Sequence, residues 1–472
     1  MTLASSIIVL LTSLNVLVHV SSMPYEGIES YVTSVKDFIL DPLATWMLFI
    51  VSLMYFFISL YSIGFTGREE ELGELRGSKP SLLHSLMNVF VLTMLVSSIS
   101  NNIFMLWVAI EATTLASAFL VALYGKAESL EAAWKYVVTC SVGLVFSLYG
   151  TSLLYAEGGK RIGFSAAFWS GLMTHPSHTG SLAIMVALIS LIIGYGTKAG
   201  LAPMWTWLPD AHAEAPAPVS ALLSGVLINC AFIGFVRYVS LSLAYDVSFI
   251  PKLSLALGLL SMWVAAFFII VSRDVKRLFA YSTVENVGVL ATGIGFATTT
   301  SVVGSLYHML THGLLKTMLF LLSGILLWIY GTRDMRFMGE LLRLHKVLGF
   351  IIVVGGFALG CSPPFATFLS FYLIAYGGLL AGNLVAVILY AIASAVVFAG
   401  IMSRTLHISM GKPKDVRRSY GGEFDRFKAP KTCIVVLIVI VALIAILGVY
   451  MPRLFHSVLV YSAKEVIGSG RW

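Results

Sequence analysis

Four ionisable side chains lie in the middle of long apolar stretches of this chain: Glu111, Lys198, His312 and Lys316. A charge at the centre of a bilayer costs about 2.5–3.5 kcal/mol on insertion scales, so several of them in one chain need a functional reason. Carboxylate, ammonium and imidazole groups can all take up and release protons. These residue types at these positions therefore predict a path for protons or other cations.

The segment Tyr307–Lys316 carries the clearest pattern, because His308, His312 and Lys316 follow one another at intervals of four residues. On a helix this spacing places all three on one face, about 6 Å apart along the axis. Histidine titrates near neutral pH and suits a proton relay. Histidines with a purely structural role are the alternative. Two histidines at this spacing also fit zinc, but no third ligand is evident, so we expect no metal.

Glu111 and Lys198 have chemistry that a mobile partner could control. A buried carboxylate must be neutral or paired with a cation. A lysine beside a movable carboxylate can hold or release a proton, which an arginine cannot do. The alternatives are a structural ion pair between helices and, for Lys198, an ammonium that extends to the membrane surface.

Five further ionisable residues are secondary candidates. Glu285 lies roughly two helical turns inside another apolar stretch. Asp210, His212 and Glu214 follow a proline-rich interruption and could equally form a solvated turn on the cytoplasmic side. Lys135 begins an apolar stretch, from which its ammonium can reach the membrane surface.

The composition indicates an all-α polytopic membrane protein. Of the 472 residues, 58% are hydrophobic and 11% are charged, against about 25% charged in soluble domains, and the mean hydropathy is +0.92. Roughly thirteen apolar stretches are long enough to span a bilayer. The first, near 3–20, has no preceding basic residue, so we expect a span rather than a secretion signal.

Basic residues are concentrated in alternate connections between these stretches, which explains the net charge of +7. By the positive-inside rule, this asymmetry predicts a multi-pass protein of the cell membrane with a cytoplasmic N-terminus. No nucleic-acid-binding motif accompanies the charge. The four cysteines are far apart, and no CxxC motif or glycine-rich phosphate loop is present, so we expect no cofactor in this chain.

Two of the apolar stretches are interrupted by prolines five spans apart. Proline breaks a helix, and such breaks in a membrane face protein or a water-filled cavity. Because five is odd, the second five-span unit would be inverted relative to the first, as in transporters. Prolines that merely kink two packing helices are the alternative. The predicted parts are N-terminal helices (1–82), a first repeat broken near 203–209 (83–245), an inverted repeat broken near 362–365 (253–406) and a C-terminal loop and helix (407–472).

The run Lys198–Ser224, KAGLAPMWTWLPDAHAEAPAPVSALLS, resembles the central signature of a known family. Its members are the antiporter-like subunits of respiratory complex I, membrane-bound group 4 hydrogenases and multisubunit Na+/H+ antiporters. The segments WKY (134–136), YSTVENVG (281–288) and LTHGLLK (310–316) are most similar to the hydrogenase-4 component F branch. The resemblance covers about residues 40–410.

This resemblance implies roles for the membrane residues. Glu111 matches the glutamate that pairs with Lys198, and His308, His312 and Lys316 match a relay toward a second half-channel. The chain would then move protons or Na+, driven by redox chemistry in peripheral partner subunits. It would be surrounded by lipid and by other membrane subunits, including further antiporter-like ones. A Na+/H+ antiporter complex without redox partners is the alternative.

Two positions depart from the family pattern. Asn229 occupies a position where many relatives have a lysine. Phe371 lies where the second broken helix usually carries a glutamate or lysine that serves as the exit group. A subunit that couples other parts but does not translocate ions is therefore a third hypothesis.

Overall fold

The structure, a computed structural model, describes residues 2–23, 28–176, 181–414 and 429–468. Within these ranges the backbone forms helices and no β-strand. A helix satisfies its own backbone hydrogen bonds, which a lipid environment requires. The α-helices are α1 (Thr2–Ser22), α2 (Pro42–Glu71), α3 (Lys79–Ile99), α4 (Ile103–Val121), α5 (Ala127–Ile162), α6 (Trp169–Thr174), α7 (Leu182–Ala199), α8 (Trp207–Glu214), α9 (Ala217–Leu222), α10 (Ile228–Ala244), α11 (Phe249–Val271), α12 (Val275–Gly295), α13 (Thr299–Tyr330), α14 (Leu341–Leu344), α15 (Lys346–Leu359), α16 (Ala366–Leu380), α17 (Leu384–Met410), α18 (Lys431–Val449) and α19 (Arg453–Ile467).

Eleven helical stretches of the described chain are long and apolar enough to cross a membrane. One of them joins α9 and α10 through a π-helical turn at Leu223–Leu227. Two shorter apolar helices, α15 and α16, lie on either side of the second proline break. The all-helical membrane fold is thus confirmed, whereas the total of thirteen spans stays a prediction.

Alternate connections meet at one end of the helices, which we call the basic face. Ion pairs tie these connections together: Lys126 Nζ lies 2.8 Å from Glu74, and Arg333 Nε lies 3.5 Å from Asp274. The other ends of the helices form the opposite face. The described connections of the basic face are 72–78, 122–126, 272–274, 331–345 and, after α17, 411–414.

The first broken helix is formed by α7 and α8. Helix α7 stops at Gly200, whose φ of 87° is left-handed and suits glycine. Side chains satisfy the backbone groups that the break releases: Ser261 accepts a hydrogen bond from the Ala202 amide (2.9 Å), and Trp207 donates to the Thr197 carbonyl (3.1 Å). These two groups of the break are therefore satisfied within the protein, as a membrane interior demands, whereas Pro203 and Thr206 lie exposed on the surface of the chain.

The second broken helix is formed by α15 and α16, with Pro363 and Pro364 between them. Here Thr367 at the start of α16 donates a hydrogen bond to the Ala358 carbonyl at the end of α15 (2.6 Å). Both breaks therefore occur where the prolines predict them. Helix α7 runs toward the basic face and α15 runs away from it, which is consistent with inverted repeats. The repeat and domain boundaries remain predictions.

Glycines let the helices of each predicted repeat approach closely. A Cβ on Gly194 of α7 would lie 2.6 Å from the Gly143 carbonyl of α5. In the second repeat, a Cβ on Gly288 of α12 would lie 2.7 Å from the Gly258 carbonyl of α11. Such contacts between small residues are typical of membrane helix pairs, in which packing replaces the hydrophobic effect. They fix the helices that carry the site.

A buried charge cluster joins α2, α10 and the C-terminal helix α19 near the opposite face. Asp41 caps α2 by accepting a hydrogen bond from the Ala44 amide (2.6 Å). Arg237 Nη1 lies 2.8 Å from Asp41 and 4.0 Å from Glu465, and its guanidinium lies 4.4 Å from the centre of the Trp169 ring. The three charged side chains are at most 1% exposed. This cluster holds the end of the chain against the helix bundle.

Candidate functional site

Glu111 on α4 and Lys198 on α7 are linked through Thr114. The Glu111 carboxylate accepts hydrogen bonds from Ser141 (2.7 Å) and Thr114 (3.3 Å). Lys198 Nζ donates to the Thr114 hydroxyl (2.8 Å) and to the Tyr136 hydroxyl (2.6 Å). The two predicted partners are thus brought together, with one hydroxyl between carboxylate and ammonium.

The first break positions aromatic rings around the Lys198 ammonium. Lys198 lies in the last turn of α7 and is fully buried. Its Nζ lies 4.6 Å from the centre of the Tyr136 ring and 6.0 Å from that of Trp207 on α8. Aromatic faces stabilise a desolvated cation. A movement of α8 would therefore change the surroundings of this ammonium.

Lys316 on α13 belongs to a second polar cluster. Its Nζ donates hydrogen bonds to the Ser282 hydroxyl (2.5 Å) and to the Phe279 carbonyl (3.1 Å) of α12. The Asn286 amide donates to the Ser282 carbonyl (2.6 Å) and to the Glu285 carboxylate (2.7 Å). Glu285, a secondary candidate from the sequence, is therefore part of the same cluster as Lys316.

His308 extends this cluster to the second break. Its Nε2 lies 2.9 Å from Asn286 Oδ1, and its Nδ1 lies 2.8 Å from the Ser370 hydroxyl of α16. Ser370 in turn donates to the Thr367 carbonyl (2.9 Å). Because Asn286 Oδ1 can only accept, Nε2 carries a proton. When His308 is charged, Nδ1 donates to Ser370 and the hydroxyl keeps its bond to Thr367. When His308 is neutral, the hydroxyl turns from Thr367 to donate to Nδ1, so both states fit without movement of the ring.

Two buried histidines near Lys316 have ring nitrogens without a partner in the described part of the chain. The His312 ring stacks against His308, with ring centres 6.1 Å apart. The His212 ring stacks on Phe320, with ring centres 4.9 Å apart. All four ring nitrogens of His212 and His312 are buried without a hydrogen-bond partner among the described residues. Such groups cost free energy unless water supplies the missing hydrogen bonds.

The remaining secondary candidates lie at the basic face. Lys135 Nζ is 3.5 Å from Asp210, which also pairs with Arg277 at 2.7 Å. Glu214 pairs with Arg333 at 2.7 Å. The side chains of Lys135 and Asp210 are 51% and 23% exposed, which fits the interpretation of a solvated turn. His212, between these acidic residues in the sequence, points instead into the protein.

The two departures from the family pattern have clear structural roles. Phe371 stacks on Tyr390 with ring centres 4.2 Å apart, within an apolar cluster. Asn229 donates to the Gly225 and Met309 carbonyls, both at 3.1 Å, and so joins α10 to α13. Its Oδ1 atom is buried without a described partner. Asn229 thus keeps a polar group at the position where many relatives have a lysine. Phe371, in contrast, places an apolar ring at the position of the usual exit charge.

A cavity of about 590 Å³ opens at the basic face. Glu69 and Lys276 line it, and Glu69 accepts a hydrogen bond from Trp328 (2.6 Å). The cavity reaches Gly324, which is roughly two helical turns beyond Lys316 on α13. Charged groups and depth together make it a candidate entrance to the second cluster.

Sequence reasoning missed Ser282, Asn286 and Ser370, which complete the second cluster. Asn286 lies inside the quoted YSTVENVG segment, and Ser370 directly precedes Phe371. Within the described residues, no group of three or more His, Cys, Asp or Glu side chains comes together as a metal site.

Two broken helices around buried ionisable residues define the class of membrane transport subunits with antiporter-like architecture. Residues 100–449 match the family described as NADH:quinone oxidoreductase/Mrp antiporter, TM. The chain belongs to this family, as the sequence motifs predict.

Relatives of this chain include hydrogenase-4 components and a Na+/H+ antiporter subunit. The chain is 34% identical over 399 residues to a hydrogenase-4 component F homolog of Methylacidiphilum infernorum (isolate V4), which covers 83% of each chain. It is 30% identical over 346 residues to hydrogenase-4 component B of Escherichia coli (strain K12), and this alignment covers 70% of this chain and 49% of the relative. It is 25% identical over 375 residues to a Na(+)/H(+) antiporter subunit of Bacillus subtilis (strain 168), with 79% and 73% covered.

Solved structures share the fold at low sequence identity. A chain of the membrane-bound sulfane sulfur reductase, an archaeal respiratory membrane complex, superposes with a TM-score of 0.82 at 23% identity, covering 99% of this chain and 91% of that one. A chain of the Mrp complex from Dietzia sp. DQ12-45-1b superposes with a TM-score of 0.82 at 16% identity, covering 99% of this chain and 94% of that one. A chain of respiratory complex I from Thermus thermophilus gives 0.71 at 20% identity, with 95% and 97% covered.

Proposed function

We propose that this chain is the proton- or Na+-translocating subunit of a membrane-bound, hydrogenase-type oxidoreductase related to complex I. It would lie in the cell membrane with its N-terminus and basic face in the cytoplasm. Peripheral redox subunits and other membrane subunits, including further antiporter-like ones, would be its partners. The similarity to hydrogenase-4 component F and B proteins supports the hydrogenase type.

The observation that carries the proposal is the buried polar cluster in the second half. Hydrogen bonds connect Lys316, Ser282, Asn286, His308 and Ser370 within the protein interior, and the step from Ser282 to Asn286 runs through the Ser282 main-chain carbonyl. It begins on α13, crosses α12 and ends at the second break. Helices can pack together without five connected polar side chains. Because desolvation of each buried polar group costs free energy, a purely structural role does not explain this cluster.

The first cluster supplies the driving step in this proposal. Glu111 is partly exposed on the outer side of α4, where a neighbouring subunit can reach it. A change of charge beside Glu111 would act on Lys198 through Thr114. Lys198 would then release its proton toward His312, whose ring nitrogens have no protein partner among the described residues.

The second cluster would complete the path. Protons would enter from the cavity at the basic face, where Glu69 and Lys276 lie. They would leave through His308 and Ser370 at the second break. Ser370 thus supplies a polar group one residue before Phe371, where relatives carry the exit charge.

We expect Asn286→Leu to separate Lys316 from His308 and to lower ion translocation about tenfold or more, because the His308 ring, the acid–base group, loses the amide that orients it. The measurement is the number of ions moved per electron by the intact complex in proteoliposomes. Thr292→Val is the matched control, since Thr292 lies buried on the same helix and its hydroxyl, among the described residues, donates only to the Met262 sulfur (3.9 Å). Equal ion ratios in both variants would remove the hydrogen-bonded chain from the mechanism.

A Na+/H+ antiporter without redox partners is the second candidate, and the similarity to the Bacillus subtilis antiporter protein supports it. Purification of the native complex separates the two. A co-purifying subunit with nickel or iron–sulfur clusters supports the redox-driven form. Exchange of sodium against choline in the transport assay then identifies the ion.

A non-translocating coupling subunit is the third candidate, and the apolar packing of Phe371 favours it. If Ser370 provides the exit, we expect Phe371→Glu to give no gain in ion translocation. The introduced carboxylate would face Tyr390 in an apolar cluster and lower stability by about 1–3 kcal/mol. Ion translocation in proteoliposomes that appears only in Phe371→Glu would establish the coupling role instead.

A further inference from the structure

We propose that a pocket at the basic face binds the headgroup of an anionic phospholipid. The pocket has a volume of about 360 Å³ and lies apart from both polar clusters. Its cationic lining consists of Arg273, Arg336, Arg404, His407 and Lys414. This site goes beyond the proposed function and does not depend on it.

The pocket lies where two candidate membrane spans end. Arg273 follows the last residue of α11, and Arg404 and His407 lie in the last two turns of α17. Arg336 comes from the connection after α13, and Lys414 from the residues just beyond α17. The cations therefore converge at the level at which a span meets water, where phospholipid headgroups are found.

Three of these side chains are available to a ligand. Arg273, His407 and Lys414 make no side-chain hydrogen bond or ion pair with any residue that the structure describes. Arg273 and Lys414 are exposed and His407 is half-buried. Cations held near each other in excess over the protein's carboxylates are a binding site for a multiply charged anion.

The other two cations are held in position by the protein. Arg404 Nη2 donates to the Ile270 carbonyl (2.9 Å), which leaves its other nitrogens free. The Arg336 guanidinium forms three hydrogen bonds to the Asp334 carboxylate, and this contact lowers the pKa of the Asp334 carboxyl. Asp334 therefore stays ionised and offsets one charge. The pocket contains four Lys and Arg side chains, and Asp334 is the carboxylate paired with one of them. The excess is therefore three positive charges, and His407 is not included in this number.

Apolar side chains beside the pocket favour a lipid over a soluble anion. Val271 at the end of α11 is 67% exposed, and Met410 at the end of α17 is 59% exposed. Ile270 and Leu406, on the same helices, are also exposed. A phospholipid can place its phosphate among the cations and its acyl chains along these residues, whereas inorganic phosphate uses only the cations.

The test measures binding of dioleoyl phosphatidylglycerol and dioleoyl phosphatidylcholine to the detergent-solubilised full chain by native mass spectrometry. Each Lys or Arg near an anionic lipid contributes about fivefold in affinity. We therefore expect Arg273→Gln with Lys414→Gln to weaken phosphatidylglycerol binding about 25-fold. Neither residue makes a side-chain contact that folding requires, and the unfolding midpoint in phosphatidylcholine checks this.

The matched control is Lys126→Gln with Arg343→Gln, which removes the same charge from the same face outside the pocket. We expect it to change the affinity by less than about twofold, because distant surface charges are screened. An equal loss in both double variants would show diffuse attraction and overturn the site. Equal affinity for the two lipids would do the same, and full competition by millimolar sodium phosphate would replace the lipid by a soluble anion.

Discussion

Lys316→Met is expected to stop ion translocation by the intact complex while electron transfer in the partner subunits continues. Methionine has a similar length and volume, so the fully buried helix packing around position 316 is preserved. It cannot accept or release a proton, and the Ser282 hydroxyl and Phe279 carbonyl lose their common donor. We expect at least about a hundredfold fall in the rate of translocation, the size of effect that loss of an acid–base group produces.

The measurement is the ratio of ions moved to electrons transferred in proteoliposomes. Lys252→Met is the matched control, because Lys252 is an exposed lysine in the first turn of α11 at the opposite face. Lys316→Arg adds a second comparison, since arginine keeps the charge but does not release a proton. An unchanged ratio in Lys316→Met would exclude the relay role. Normal pumping by Lys316→Arg would show that a fixed positive charge suffices at this position.

The sequence predicts the charged members of the site because a charge inside an apolar stretch is conspicuous. Glu111, Lys198 and Lys316 can be found in this way from one sequence. Ser282 and Ser370 cannot, since serine is common in membrane helices and bonds to its own helix backbone as readily as to a neighbour. Their role follows only from the packing of α12 and α16 against α13.

The proline-rich segment after the first break shows a second limit. Asp210 and His212 lie two residues apart on α8, so their side chains point about 200° apart around the helix axis. Asp210 reaches the ion pairs of the basic face, and His212 is fully buried against Phe320. The prolines predict the position of the break. They do not predict which side of the short helix after it faces the protein interior.

The buried cluster of Asp41, Arg237 and Glu465 should dominate the stability of the C-terminal part of the fold. We expect Arg237→Met to lower the free energy of unfolding by about 3–5 kcal/mol, because removing one partner leaves uncompensated buried charge. Asp41 loses its 2.8 Å ion pair and Glu465 its nearest cation. The measurement is the unfolding midpoint of the purified protein at one fixed scan rate, since membrane proteins commonly unfold irreversibly.

Glu465→Gln in the Arg237→Met background separates lost charge compensation from lost packing. Burial and the adjacent Asp41 carboxylate raise the pKa of Glu465, which lies on α19 outside the candidate spans. Because the pKa of Glu465 is higher in the folded than in the unfolded protein, ionisation of Glu465 lowers the free energy of unfolding. This loss is absent below the ordinary pKa of 4.5 and grows as the pH rises toward the folded-state pKa. The neutral glutamine should therefore recover a substantial part of the loss at pH 8 and little at pH 5. The single and the double variant could instead show the same fall in unfolding midpoint, equal at pH 5 and pH 8. That result would assign the loss of stability to the cavity left by Arg237 and not to charge.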